Sequence, residues 1–351
     1  MRKFGLLVVS TMVMICGVPA QTASATSASW RVVPTATANR LSTVDVVSEK
    51  VVWAAGGGLL GAVDDGSVVR TFDGGRTWRD VTPFGDVSEP YRDVEAFDRD
   101  HAVVLSSKDG VSRIYRTTDG GTTWRVAFSS PLFFDCMAFF DNQHGLAMAD
   151  SVDGRFPLLA TDDGGRTWLP APVNAQPIAL PGEGARATGT CLTTFGRHDV
   201  WFGTWTPTGN GRVLHSADRG RTWASSTTQL PAGDTHEGVS TLSFRDRHTG
   251  LASGGTVATN GDAGTVNVTT NGGKSWVPTK PPAGVRIGVA WIPGLRETAV
   301  AVGRTGSDIS TDGGRTWRLI DHISLFGVSC PRHGSCWAVG ENGKAAKLMT
   351  H

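Results

Sequence analysis

Six side chains of nearly one type recur along the chain: Asp73, Asp119, Asp163, Asp218, Asn271 and Asp312. Repeated carboxylates can ligate calcium or act as general acid and base. Their context points elsewhere. Each is third in an eight-residue word, S/T-x-D-x-G-x-S/T-W, written in full by Ser310-Thr311-Asp312-Gly313-Gly314-Arg315-Thr316-Trp317. An Asp before Gly-Gly caps backbone N–H groups, and glycine takes a positive φ without a Cβ clash. The Ser or Thr hydroxyl can tie the far side of the same turn. Asn271 agrees, because an amide caps a turn but is a poor substitute for a catalytic carboxylate. The Asp residues are read as turn caps.

The other reactive side chains carry no recognisable centre. His101, His144, His198, His248 and His333 fall in equivalent turns, too far apart around a ring to share one ion. No glycine-rich phosphate cradle opens a helix, and the cysteine spacing is not a metal or redox motif. No flavin, nicotinamide, haem or quinone signature is present. No catalytic residue, metal or cofactor is therefore expected.

What must position these residues is a repeated strand-turn-strand unit. Apolar or alternating runs such as Arg113-Ile114-Tyr115-Arg116 lead into each word, and each Trp opens the outgoing strand. The six Trp lie at 78, 124, 168, 223, 276 and 317, spaced by 41 to 55 residues. That period, filled with short strands, predicts one four-stranded propeller blade per repeat. The tail of the word is stranded at Ser29-Trp30-Arg31-Val32-Val33, while the chain stops where a seventh word would begin. Ring closure accounts for both: the N-terminal strand completes the C-terminal blade. The fold class is thus all-β, a seven-bladed propeller of antiparallel four-stranded blades over residues 26–351.

Inner strands are expected near residues 42–47, 92–97, 134–139, 189–194, 238–244, 286–291 and 325–330. Where they begin, at one mouth of the channel, the chain offers Tyr91, Arg92, Asp93, Asp135, Arg186, His236, Glu237 and Arg286. Arg40, Phe134 and His322 lie beside them. Mixed charge with aromatics suits a ligand or peptide site.

Arg2 and Lys3 precede an apolar run ending at Val18, followed by Ala23-Ser24-Ala25. This reads as a secretory signal peptide over residues 1–25, too short in its apolar part to span a membrane comfortably. The mature chain is expected outside the cytoplasm, in the cell envelope or secreted, with no stable membrane insertion. Without Arg2 and Lys3 the formal charge of +1 becomes −1. Such a balance gives no footprint for nucleic acid. No linker-like break interrupts the repeats, and a monomer is expected.

Four cysteines remain after the leader. Cys330 and Cys336 flank one turn of the last blade, which suits a local disulfide. Cys136 and Cys191 take similar places on adjacent inner strands, and a bridge between them is open subject to Cα separation. Export makes either feasible.

The repeated word resembles the Asp-box, or BNR repeat, of sialidases and related propellers. The longer pattern, with Val300-Ala301-Val302-Gly303 before Ser310–Trp317, is more similar to propellers of the photosystem II stability/assembly factor type. That resemblance covers essentially the whole mature chain. It implies a non-catalytic scaffold that binds a protein or other ligand, a carbohydrate being the alternative partner. The sialidase resemblance implies instead a glycoside hydrolase, needing a Tyr nucleophile, an acidic donor and an arginine cluster. Tyr91 is the better placed of two tyrosines, but the F/Y-R-I-P motif is missing: Arg286-Ile287 is followed by Gly288.

Overall fold

In a computed structural model of the chain, the described residues are 28–58, 65–83, 89–108, 110–185, 190–233, 237–255, 265–279 and 284–350. The expected leader lies outside them. Seven antiparallel sheets form the ring, six of four strands and one of five. Blades I to VII begin with inner strands Thr43–Val46, Tyr91–Ala96, Phe134–Phe139, Leu192–Phe195, Val239–Phe244, Gly288–Trp291 and Leu325–Ser329. Each blade buries its strands against its neighbours, so the apolar core is divided into clusters between blades. One such cluster joins Trp53, Val94 and Val104 of blades I and II.

The ring closes as the sequence predicts. Ala28–Pro34 pairs antiparallel with Lys344–Thr350 along its whole length, Trp30 opposite Leu348. Trp30 is buried, and its indole Nε1 donates to Ser307 Oγ of blade VI at 2.7 Å. The last blade thus takes three strands from one end of the chain and its fourth from the other.

The Asp words are hairpin turns with one repeated bond set. In blade VI, Asp312 accepts from Ser310 Oγ at 2.8 Å, Thr316 N at 3.0 Å and Thr316 Oγ1 at 2.6 Å. Gly314 has φ +83°, and a Cβ there would come within 2.6 Å of Leu251 Cδ2 on blade V. The second glycine is needed both for the turn and for blade-to-blade packing. Asn271 reproduces the cap with one bond reversed: its Oδ1 accepts from Ser275 N at 3.0 Å, while its Nδ2 donates to Ser275 Oγ at 2.8 Å.

Two disulfides lock the ring locally. Cys136–Cys191 ties blades III and IV across 55 residues with Cα atoms 6.1 Å apart. Cys330–Cys336 staples the first hairpin of blade VII.

Blade IV differs from expectation. Its inner strand is Leu192–Phe195, and an extra short strand, Gly184–Ala185, pairs with Trp205 and Thr204. Next to that strand stands Glu183. Its carboxylate is buried, accepting from Thr204 Oγ1 at 2.6 Å and Arg212 Nη1 at 2.9 Å. A charge so placed needs its partners.

Candidate functional site

At the mouth where inner strands begin, arginines and aromatic rings alternate. Arg40, just before the inner strand of blade I, lies with its guanidinium carbon 5.4 Å from the Phe326 ring. Arg304, in the turn after Ala299–Gly303, lies 5.7 Å from the same ring. Arg92 covers Phe133 at 5.0 Å. Such contacts let guanidinium groups lie on apolar surface with their charge retained. Phe326 packs with Val285 and Ile287 into a small apolar cluster at this mouth.

The expected mouth residues divide by role. Arg92 is half-buried, with its guanidinium against the Phe133 ring. Tyr91 is buried, its ring edge-on to Tyr115 and its hydroxyl donating to the Pro83 carbonyl at 3.3 Å. Burial raises that phenol's pKa, so it is turned into the blade rather than poised as a nucleophile. Asp135 is buried beside Arg92, whose charge it supports. Arg286 is fully buried in an ion pair with Asp308, Nε to Oδ2 at 2.5 Å. Glu237 lies half-buried just before the inner strand of blade V. Arg186 and His236 fall outside the described residues.

Asp93 belongs to a different set. Its Oδ1 accepts from Val94 N at 2.9 Å and Thr43 Oγ1 at 3.2 Å, and its Oδ2 from Met137 N at 2.9 Å, joining blades I, II and III. Asp45 returns the bond, accepting from Ala96 N at 2.7 Å. Together with Glu95, these carboxylates line a channel cavity of about 800 Å³ that extends to the ends of the inner strands. Of the six expected residues that are described, only Asp93 lines it. Asp45 and Glu95 were missed, although carboxylates at alternate positions of one strand, Asp93 and Glu95, signal a shared face.

Burial pushes Asp45 up to about 6. Asp93 and Glu95 also rise well above the ordinary carboxylate range, both from burial first, then Asp93 from the charge of Asp45 and Glu95 from the charges of Asp45 and Asp93. A carboxyl whose pKa is higher folded than unfolded binds more protons in the native state. Stability therefore falls as pH rises from about 4 through 6 and beyond. Glu95 has no hydrogen-bond or ion-pair partner among the described residues. Its Glu95→Gln variant is expected to raise the melting temperature by about 2 °C or more at pH 8 and leave it unchanged at pH 4. Scanning calorimetry at the two pH values measures this.

The sheets, their caps and the closing strand define a seven-bladed β-propeller. Solved structures bear out that fold. The chain is similar to YCF48 bound to D1 peptide, with TM-score 0.65 and 15% identity over 92% of this chain and 97% of that one. YCF48 from Cyanidioschyzon merolae matches at TM-score 0.61 and 19% identity, covering 91% and 98%. A GH74 xyloglucanase from Xanthomonas campestris matches at TM-score 0.62 and 16% identity, covering 90% of this chain and 53% of the enzyme. No family model matches the sequence. No curated protein matches it either. The expected likeness to the photosystem assembly-factor propellers is thus met at the level of fold.

Proposed function

We propose that this chain is an exported, non-catalytic binding propeller that holds a carboxylate-bearing peptide segment of a partner protein at the mouth where its inner strands begin. The observation that carries this reading is the bracketing of Phe326 by Arg40 and Arg304. Arg92 extends the basic surface across Phe133. Arg40 is buried and its Nη2 donates to the Gly57 carbonyl at 2.8 Å, so half-buried Arg304 is the guanidinium placed to meet a carboxylate, and the apolar cluster beside it gives a peptide side chain somewhere to pack. The similar fold of YCF48, solved with a D1 peptide, supports peptide recognition by this architecture. Export is supported by the leader-like N-terminus and by two disulfides, which persist in oxidising compartments. No helix among the described residues is long and apolar enough to cross a membrane.

The test is fluorescence anisotropy with labelled peptides of acidic, neutral and basic composition, followed by affinity capture from a cell-envelope extract. Acidic peptides are expected to bind in preference, with affinity falling as salt rises. Arg304→Glu is expected to weaken binding by about tenfold or more, the cost of turning one charge-assisted contact into a repulsion. Equal binding of all three peptide classes, or an Arg304→Glu protein that binds as wild type, overturns the reading. Turnover of a glycoside panel that survives purification would favour the hydrolase alternative.

A further inference from the structure

We infer that the channel cavity is a second binding site, built for a primary ammonium group on an aliphatic stem. It is separate from the peptide mouth, and neither reading depends on the other. The cavity holds about 800 Å³, within the roughly 300–1,000 Å³ range of small-molecule sites. Its charges are unevenly placed. Asp45, Asp93 and Glu95 form the wall contributed by blades I and II, whereas the bases lining it, Arg245, Arg296 and Arg332, stand on turns of blades V to VII. Arg245 is already engaged, with Glu297 at 3.1 Å and Asp246 at 3.6 Å, and lies over Trp291. Arg296 and Arg332 are exposed at the rim, and neither forms an ion pair with the three carboxylates.

The lone pairs decide what kind of ligand this wall can take. Asp93 spends both oxygens on the inner strands, and Asp45 spends one on Ala96. Glu95 keeps both oxygens for the channel. A calcium ion needs about six to eight oxygen ligands, more than remain, and no group of three His, Cys, Asp or Glu among the described residues is arranged for a metal. An ammonium group needs fewer acceptors, carries the missing positive charge and is directional. Elsewhere on the cavity lining, half-buried Phe139, Phe195 and Ile292 supply apolar wall for methylene groups. A free aliphatic amine and the lysine side chain of a partner share this chemistry.

Isothermal titration calorimetry of the full mature protein at pH 8 separates the outcomes, using 1,4-diaminobutane in one arm and a blocked lysine tetrapeptide in the other. Saturable binding of either is expected, with the dissociation constant rising about tenfold or more in Glu95→Gln. Binding of the diamine identifies a free amine as ligand; binding of the tetrapeptide alone identifies a lysine side chain. Because Glu95 makes no bond within the fold, the Gln variant stays folded, and calorimetric melting verifies it. The inference is overturned if neither probe saturates, if 1,4-butanediol binds as well as the diamine, or if Glu95→Gln binds as tightly as wild type.

Discussion

Deletion of residues 28–34 is expected to abolish cooperative folding, and Trp30→Ala alone to cost about 3–5 kcal/mol. The seven residues of Ala28–Pro34 pair with Lys344–Thr350 throughout, so removing them leaves the outer edge of blade VII unpaired. It also uncovers the cluster where Trp30 packs with Val300, Leu325 and Leu348. The Trp30 indole reaches across to Ser307 on blade VI, so one side chain fixes the closing blade both to its own sheet and to its neighbour. In a ring, an opened seam exposes two blade faces at once. Urea unfolding followed by tryptophan fluorescence and far-UV circular dichroism measures the effect. A deletion protein with the wild-type midpoint would show that the circle is held elsewhere.

That seam was legible in the sequence because its signal is local. Ser29-Trp30 repeats the end of a word whose other six copies are complete, and the chain stops where the matching start would fall. The Asp caps were legible for the same reason: every partner of Asp312 lies within four residues of it. The Cys330–Cys336 pair was legible from the turn it flanks, whereas Cys136–Cys191, on adjacent inner strands, stayed open until the Cα separation of 6.1 Å was known. The sequence did not disclose the buried pairs that anchor the loops entering the blades. Glu89 is bonded by Arg113, Ser106 and Tyr115, and Glu183 by Arg212 and Thr204. A glutamate in a loop looks solvated until the fold brings an arginine from a third strand beside it. The same holds for the site. Residue type placed Arg286 at the mouth, but its distant partner Asp308 decides what it can do.

Arg286→Ala is expected to destabilise the protein by about 3–5 kcal/mol, the loss that follows when one member of a buried pair is removed and the other is left charged. Arg286 and Asp308 are 0% and 1% exposed in their side chains, with Nε and Oδ2 2.5 Å apart. Nη1 also donates to Thr305 Oγ1 at 3.0 Å, and the Arg286 carbonyl accepts from Ser253 Oγ of blade V at 2.5 Å. The residue is therefore a strut between blade VI and its neighbour. A double variant, Arg286→Met with Asp308→Leu, should recover most of the loss, because it removes both charges and keeps volume. Thermal unfolding of the two singles and the double, combined in a mutant cycle, measures the coupling. A peptide-reading arginine would behave in the opposite way, with wild-type melting and weakened binding in Arg286→Ala. That result would move Arg286 from the frame of the mouth into its contact surface, and the ion pair would then be a resting place that a bound carboxylate replaces.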